Sequence, residues 1–311
     1  TGGGGMEGGR WFRHHQPRRD VAWRCLAAVL GTMAVTVACS FAIFFSSGRS
    51  TLRICAEMLQ SYRAINERVC SPHQLPPISY TGIHAPERFV LTAGGVLTAC
   101  LGAMGFHHFT LHLRQVLEEH MHYIDQEPPS GRGWPWGAAF ASLFASAYGA
   151  CVLMVLTVSI SLEDNTLIHG GCALLFFLCL IYHLFAVHFL LWKGSAALAR
   201  AGRDPHALHA PHGLRLRHCC SAAYVGILLT LIVLYFTLTR GEMHTYGEYG
   251  DGSVATPVAR GRLTPAAVYP PGQWVTVLVS GAGIAAQIRD LRHLERLSEG
   301  DGGGGGEAAE A

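Results

Sequence analysis

Long apolar runs alternate with short polar segments along this chain. Cys25–Ser47, Phe89–Leu113, Gly137–Leu162, Thr166–Trp192 and His218–Thr239 contain no Asp, Glu, Lys or Arg. Each is longer than the roughly 20 residues a membrane-spanning helix needs. None has the polar face that a surface helix of a water-soluble fold presents. A sixth run, about Ala266–Ile288, is interrupted near its start by Pro270, Pro271 and Gly272. Its firm core is Trp274–Ile288, and Tyr269–Gly272 reads as a kinked or interfacial entry. The pattern predicts an all-α membrane protein, a bundle of six transmembrane helices, with five as the rival count. Residues 1–24 form a basic segment before a membrane domain over 25–297. Residues 298–311 are a Gly/Glu tail expected to be disordered. The first run is too long for the apolar stretch of a signal peptide and is read as an uncleaved span.

Composition strengthens this picture. Only 14% of the 311 residues are charged, while 50% are hydrophobic, against about 25% charged in soluble domains. A net charge of +2 is too small and too scattered for a nucleic-acid binder. No phosphate-loop, HExxH, GxSxG or CxxC motif occurs, so no cofactor and no metal is expected. The closely spaced His206, His209 and His212 are better explained by loop solvation.

The polar segments orient the chain. With six spans, fifteen of the 23 Lys/Arg fall on the side of the termini, in segments 1–24, 114–136, 193–217 and the stretch after the sixth run, 289–311. The positive-inside bias then places both termini in the cytoplasm. Eight of the ten cysteines lie within spans, and the remaining Cys55 and Cys70 share loop 48–88 on the opposite, lumenal side. A Cys55–Cys70 disulfide is compatible with that side, and two free thiols are the alternative. In the same loop Leu52, Cys55, Met58, Leu59, Tyr62, Ile65 and Val69 recur at helical spacing, which predicts an amphipathic helix. The basic 193–217 loop, with Lys193, Arg200, Arg203, Arg215 and Arg217, is positioned to meet anionic lipid.

What polarity remains inside the spans is histidine. His107, His108 and His112 lie in the second span, and His169, His183 and His188 in the fourth. His169 and His183 are about 21 Å apart along a helix and within about 40° of one face. His107 and His183 reach similar depths, so they are expected to face one another. Ionisable groups within a span are functional candidates, though neutral histidines also bond across helices and set packing. For His112, His188 and His218, near the cytoplasmic ends, snorkelling to the interface is the favoured reading. Glu163 and Asp164 precede His169 at the lumenal edge, where a carboxylate can orient an imidazole as a general base. An ordinary acidic turn capped by Asn165 is the competing reading. Glycines 94, 95, 102, 105, 281 and 283 are expected to permit close helix packing.

Three segments bear a family resemblance. Leu75-Pro76-Pro77-Ile78-Ser79-Tyr80-Thr81-Gly82, followed by Ala85-Pro86-Glu87-Arg88, resembles the first-loop signature of the Frag/DRAM/Sfk family of six-span proteins. Ser161-Leu162-Glu163-Asp164 through Ile168-His169 and His183 to Leu191-Trp192 is similar to the branch that remodels GPI anchors, which includes the Cwh-type N-terminal domain. Gln273-Trp274-Val275 through Ile288-Arg289-Asp290 resembles the last span of the DRAM branch. Gln273 stands where that branch has Glu, and Tyr80 replaces a common Asp. The likeness to the remodelling branch implies fatty-acid exchange on GPI-anchored proteins in the Golgi or endoplasmic reticulum. Its partners would be membrane lipids, GPI-anchored proteins or lipid-remodelling enzymes. His169 would be the base, with Glu163 or Asp164 orienting it, and the loop around Ser79 and Gly82 would shape the headgroup site. Catalysis and assistance to another enzyme both remain open. Likeness to the DRAM branch implies instead a non-enzymatic modulator of autophagy or phosphoinositide signalling at lysosome or plasma membrane.

Overall fold

A computed structural model of the protein describes residues 19–47, 78–121, 136–161, 164–210, 212–246 and 265–300. Six long helices account for most of them: α1 (Arg19–Ser46), α2 (Glu87–Met121), α3 (Trp136–Ser159), α4 (Thr166–Arg200), α5 (Gly213–Tyr246) and α6 (Pro265–Gly300). A 3-10 turn, Ile78–Gly82, precedes α2, and a second, Pro205–Ala207, lies between α4 and α5. No strand occurs among the described residues. Helices α1 to α4 are each long and apolar enough to cross a membrane.

The apolar runs form helices because a helix satisfies its own backbone in a medium without water. Local signals set their ends. Asn165 caps α4 in extended conformation, its side chain accepting the Ile168 amide at 3.0 Å. Glu87 places a carboxylate in the first turn of α2, where the helix dipole favours it.

The helices exceed the apolar runs that predicted them. The α2 helix continues past Leu113, held at its polar end by an Arg114–Glu118 pair one turn apart. The α4 helix runs through Lys193 to Arg200, and α5 starts at Gly213, so most of the expected 193–217 loop is helical. A charge ends a membrane span without ending a helix, and Ala196–Arg200 is rich in good helix formers. Helix α6 is unbroken from Pro265, so Pro270-Pro271-Gly272 does not interrupt it. Prolines are tolerated in such helices where neighbours and side chains satisfy the freed carbonyls.

The six helices close into a ring in chain order, with α6 packed between α5 and α1. The α1–α2 seam is the closest. A Cβ on Gly105 would stand 2.9 Å from the Leu26 side chain, so only glycine permits this approach. Higher in the same seam Thr32 and Thr98 share a hydrogen bond of 3.0 Å. The buried core threads through all six helices, from Leu26 and Phe106 to Leu143, Val187, Tyr224 and Leu291.

Candidate functional site

The two ends of the ring differ in chemistry. One end gathers the Ile78–Gly82 turn, the end of α1, the start of α2 and the α3–α4 connection. Glu87 is wholly buried and accepts from Ser47 Oγ at 3.0 Å, tying α1 to α2. Arg88 ion-pairs with Asp164 and also donates to the Ser159 carbonyl at 3.4 Å. Asp164 further accepts the Ser161 amide at 3.1 Å, while its own amide donates to Ser161 Oγ at 3.0 Å. The hydrogen bond from Arg88, followed by those from Ser161, holds the Asp164 carboxyl below its ordinary range. The carboxylate therefore stays charged through mild acidification, and any stabilisation it adds is lost only as pH falls through that lowered range.

Beneath this latch lies His169, in the first turn of α4 and 9% exposed. Its Nδ1 lies 2.7 Å from the Ile160 carbonyl. A carbonyl only accepts, so Nδ1 carries a proton, and Nε2 is the nitrogen that bears the lone pair whenever the ring has only one. Nδ1 is thus held by a main-chain carbonyl and not by Asp164. Asp164 is committed to Arg88 and Ser161, and Glu163 lies outside the described residues. An imidazole held at one nitrogen and basic at the other is still the arrangement that general-base chemistry uses.

His169 and Ser161 stand at the mouth of a cavity of about 190 Å³ running down the ring between α1, α2, α3, α4 and α6. Gly82 and Ile78 of the 3-10 turn line the same end. Leu91 lies against Gly82 at that end, and the walls include Met33, Met154, Phe176, Phe177 and Val277, with few hydroxyls in the lining. A bundle core is a usual place for such a site. The cavity is the feature that the residue pattern did not reveal, because it belongs to five helices at once. Its one sequence signal is the small residues Gly95, Ala99, Gly102, Ala150 and Ala173 that face it.

The loop motif divides. Gly82 lines the cavity, Glu87 and Arg88 build the end just described, and Pro86 is exposed. Ser79 falls within the 3-10 turn, but its side chain, like Pro76, lies outside the described residues, as do Cys55, Cys70 and the amphipathic helix of loop 48–88.

The intramembrane histidines do not pair as expected. His183 is completely buried, with Nδ1 3.2 Å from the Leu143 carbonyl and its ring edge-on to Phe106 at 4.8 Å. Its Nε2 has no hydrogen-bond partner. His107 instead meets the Tyr148 hydroxyl at 2.8 Å. The two imidazoles share a level but face different neighbours, because Phe106 takes the place beside His183. Nor do His112 and His188 snorkel. They are 1% and 8% exposed, because α2 and α4 extend beyond them. His218, exposed as expected, lies 3.4 Å from His188.

The opposite end holds a group that sequence reasoning missed. Arg217, expected on a basic loop, is buried and donates to Asp290 Oδ2 through two nitrogens at 2.8 and 2.5 Å. Asp290 Oδ1 accepts the Ala210 amide at 3.0 Å. Both guanidinium donors converge on one carboxylate oxygen in a charge-assisted pair, and the carboxylate as a whole fastens the α4–α5 connection to α6. Both residues abut apolar runs in the sequence, but only the extended helices bring them inside. Among the described residues no group of three His, Cys, Asp or Glu is gathered as a metal site.

Comparison with known proteins adds one finding. The family model described as Frag1/DRAM/Sfk1/Cwh43P N-terminal domain matches residues 34–252. No curated protein and no solved structure matches the chain.

Proposed function

The chain belongs to the Frag1/DRAM/Sfk1/Cwh43P N-terminal domain family, and from that membership we propose that it acts in fatty-acid remodelling of GPI-anchored proteins, in the Golgi or endoplasmic reticulum. The observation that carries this reading is His169, a buried imidazole with a free basic nitrogen, at the mouth of an apolar cavity inside the membrane domain. An acyl ester reaching that mouth would have its chain in hydrocarbon and its carbonyl beside a base. Nε2 would take the proton of the hydroxyl that attacks the ester carbon and return it to the departing alcohol oxygen as the old ester C–O bond breaks. The Arg88–Asp164 latch would fix the rim that meets the headgroup.

In this reading all six helices cross the bilayer, with both termini cytoplasmic and the His169 end lumenal. Helix α6 supports it by matching the height of α1. Trp274 meets Phe41 at one end, and the Leu294 carbonyl accepts from Arg19 at 3.4 Å near the other. The excess of Lys/Arg on the side of the termini supports the same orientation.

Replacing His169 with Ala in cells, followed by mass spectrometry of the GPI lipid species, tests the proposal. Unremodelled anchors at normal protein level are the expected outcome. An unchanged lipid profile rejects it. A tagged copy found at lysosome or plasma membrane would favour the autophagy-modulator branch instead.

A further inference from the structure

The cavity has a floor, and each of the five helices contributes one residue to it. The deepest lining positions are Val29 on α1, Phe106 on α2, Ala150 on α3, Leu180 on α4 and Ile284 on α6. All five are at most 5% exposed, and His183 backs Phe106 from below. Helix direction makes this clear: α1 and α3 rise towards the His169 end, so their lowest-numbered lining residues lie deepest. The other three descend, and there the highest-numbered residues lie deepest. From His169 to Leu180 the depth along α4 is about 16 Å at 1.5 Å per residue. An extended hydrocarbon chain advances about 1.25 Å for each bond of about 1.5 Å, so the cavity matches roughly a dozen carbons.

We propose that this cavity holds a single extended acyl chain with its carboxyl end at His169, and that the five-residue floor selects chain length. The inference rests on the lipid-remodelling reading for the identity of the head, but the chain site stands on the cavity itself. Selection by length follows from the solvent. An acyl chain in a bilayer is already out of water, so moving it into an apolar cavity brings no hydrophobic gain. Preference must come from packing. A chain too long buckles against Phe106 and Leu180, and one too short leaves unfilled space whose lining loses its contacts.

Gly102 gives the means to move the floor. It lines the cavity, and a Cβ built there stands 3.5 Å or more from Cys151, Phe106 and Val29, so a side chain can begin without collision and its outer atoms fill the lower cavity. The test uses the purified full chain in nanodiscs made from phosphatidylcholines of graded saturated acyl length. In parallel, free fatty acids of the same lengths are added to nanodiscs of one composition. Native mass spectrometry identifies which molecules stay bound. Gly102→Leu should shift the preferred chain to shorter lengths, with several-fold loss of the longest chains. Phe106→Ala and, separately, Leu180→Ala should shift it to longer ones. Retention of the phospholipid or of the free acid tells which molecule supplies the chain. If wild type and Gly102→Leu retain the same lengths, or no lipid is retained, the proposal is overturned. Because Gly102→Leu does not depend on refilling the space beside His183, a misfolded Phe106→Ala leaves the test intact. A clear length shift together with an unaltered GPI profile in the His169→Ala cells would reject the remodelling role and keep the chain site.

Discussion

Asp290 ties three parts of the fold together: its own helix, α5 and the α4–α5 connection. It neutralises Arg217 within the bundle and accepts the Ala210 amide. Removing one partner of a buried pair leaves the other charge uncompensated, which costs about 3–5 kcal/mol. Asp290→Ala is therefore expected to lower the thermal unfolding temperature in detergent markedly. The double variant Arg217→Met/Asp290→Leu should recover part of the loss, because apolar residues can replace such pairs at little cost while the Ala210 amide still lacks its acceptor. Equal stability of Asp290→Ala and wild type would mean that the carboxylate does not hold Arg217. His169 shows the reverse relation between sequence and role. Its position next to two acids suggested a carboxylate-oriented base, but Asp164 has a stronger partner in Arg88 than a neutral ring could be. The partner of Asp164 was not legible, because Arg88 comes from another helix 76 positions away.

At the scale of elements, the two kinds of glycine in α2 separate seam from cavity. Gly105 faces Leu26 across the α1–α2 seam at less than contact distance, whereas a Cβ on Gly102 would meet its neighbours at ordinary van der Waals distances. Gly105→Val should force the seam apart and destabilise by about 1–3 kcal/mol, as overpacking does. Gly102→Ala should leave stability nearly unchanged. Unfolding in detergent, followed by circular dichroism, distinguishes them, and equal losses would mean the seam is no tighter than the cavity wall. The sequence placed both glycines on a packing face without telling them apart, since the difference depends on which helix stands opposite. Helix positions were legible for a simple reason, that each apolar run is uniform all round. Helix ends were not. The apolar count stops at Arg114 and Lys193, but the backbone follows helix propensity and the Arg114–Glu118 pair beyond them. That error carried His112 and His188 to the interface and left Arg217 on a loop.

For the whole molecule, ring closure in chain order makes the first and last helices neighbours. The proposed topology predicts that tags at both termini are reached by a membrane-impermeant reagent only after the plasma membrane is opened and from the cytosolic side. A tag in segment 48–77 should be shielded by the organelle membrane under those conditions. Protection of either terminus would reject six spans with cytoplasmic ends. Closure also has a consequence in time. Asp290 follows Arg217 by 73 positions, which at 5–20 residues per second is a delay of roughly 4–15 s during synthesis. Throughout that interval α5 is present with its arginine unmatched, and the α4–α5 connection has nothing to fasten to. A chain that ends before Asp290 therefore leaves both the Arg217 guanidinium and the Ala210 amide without the carboxylate that joins them.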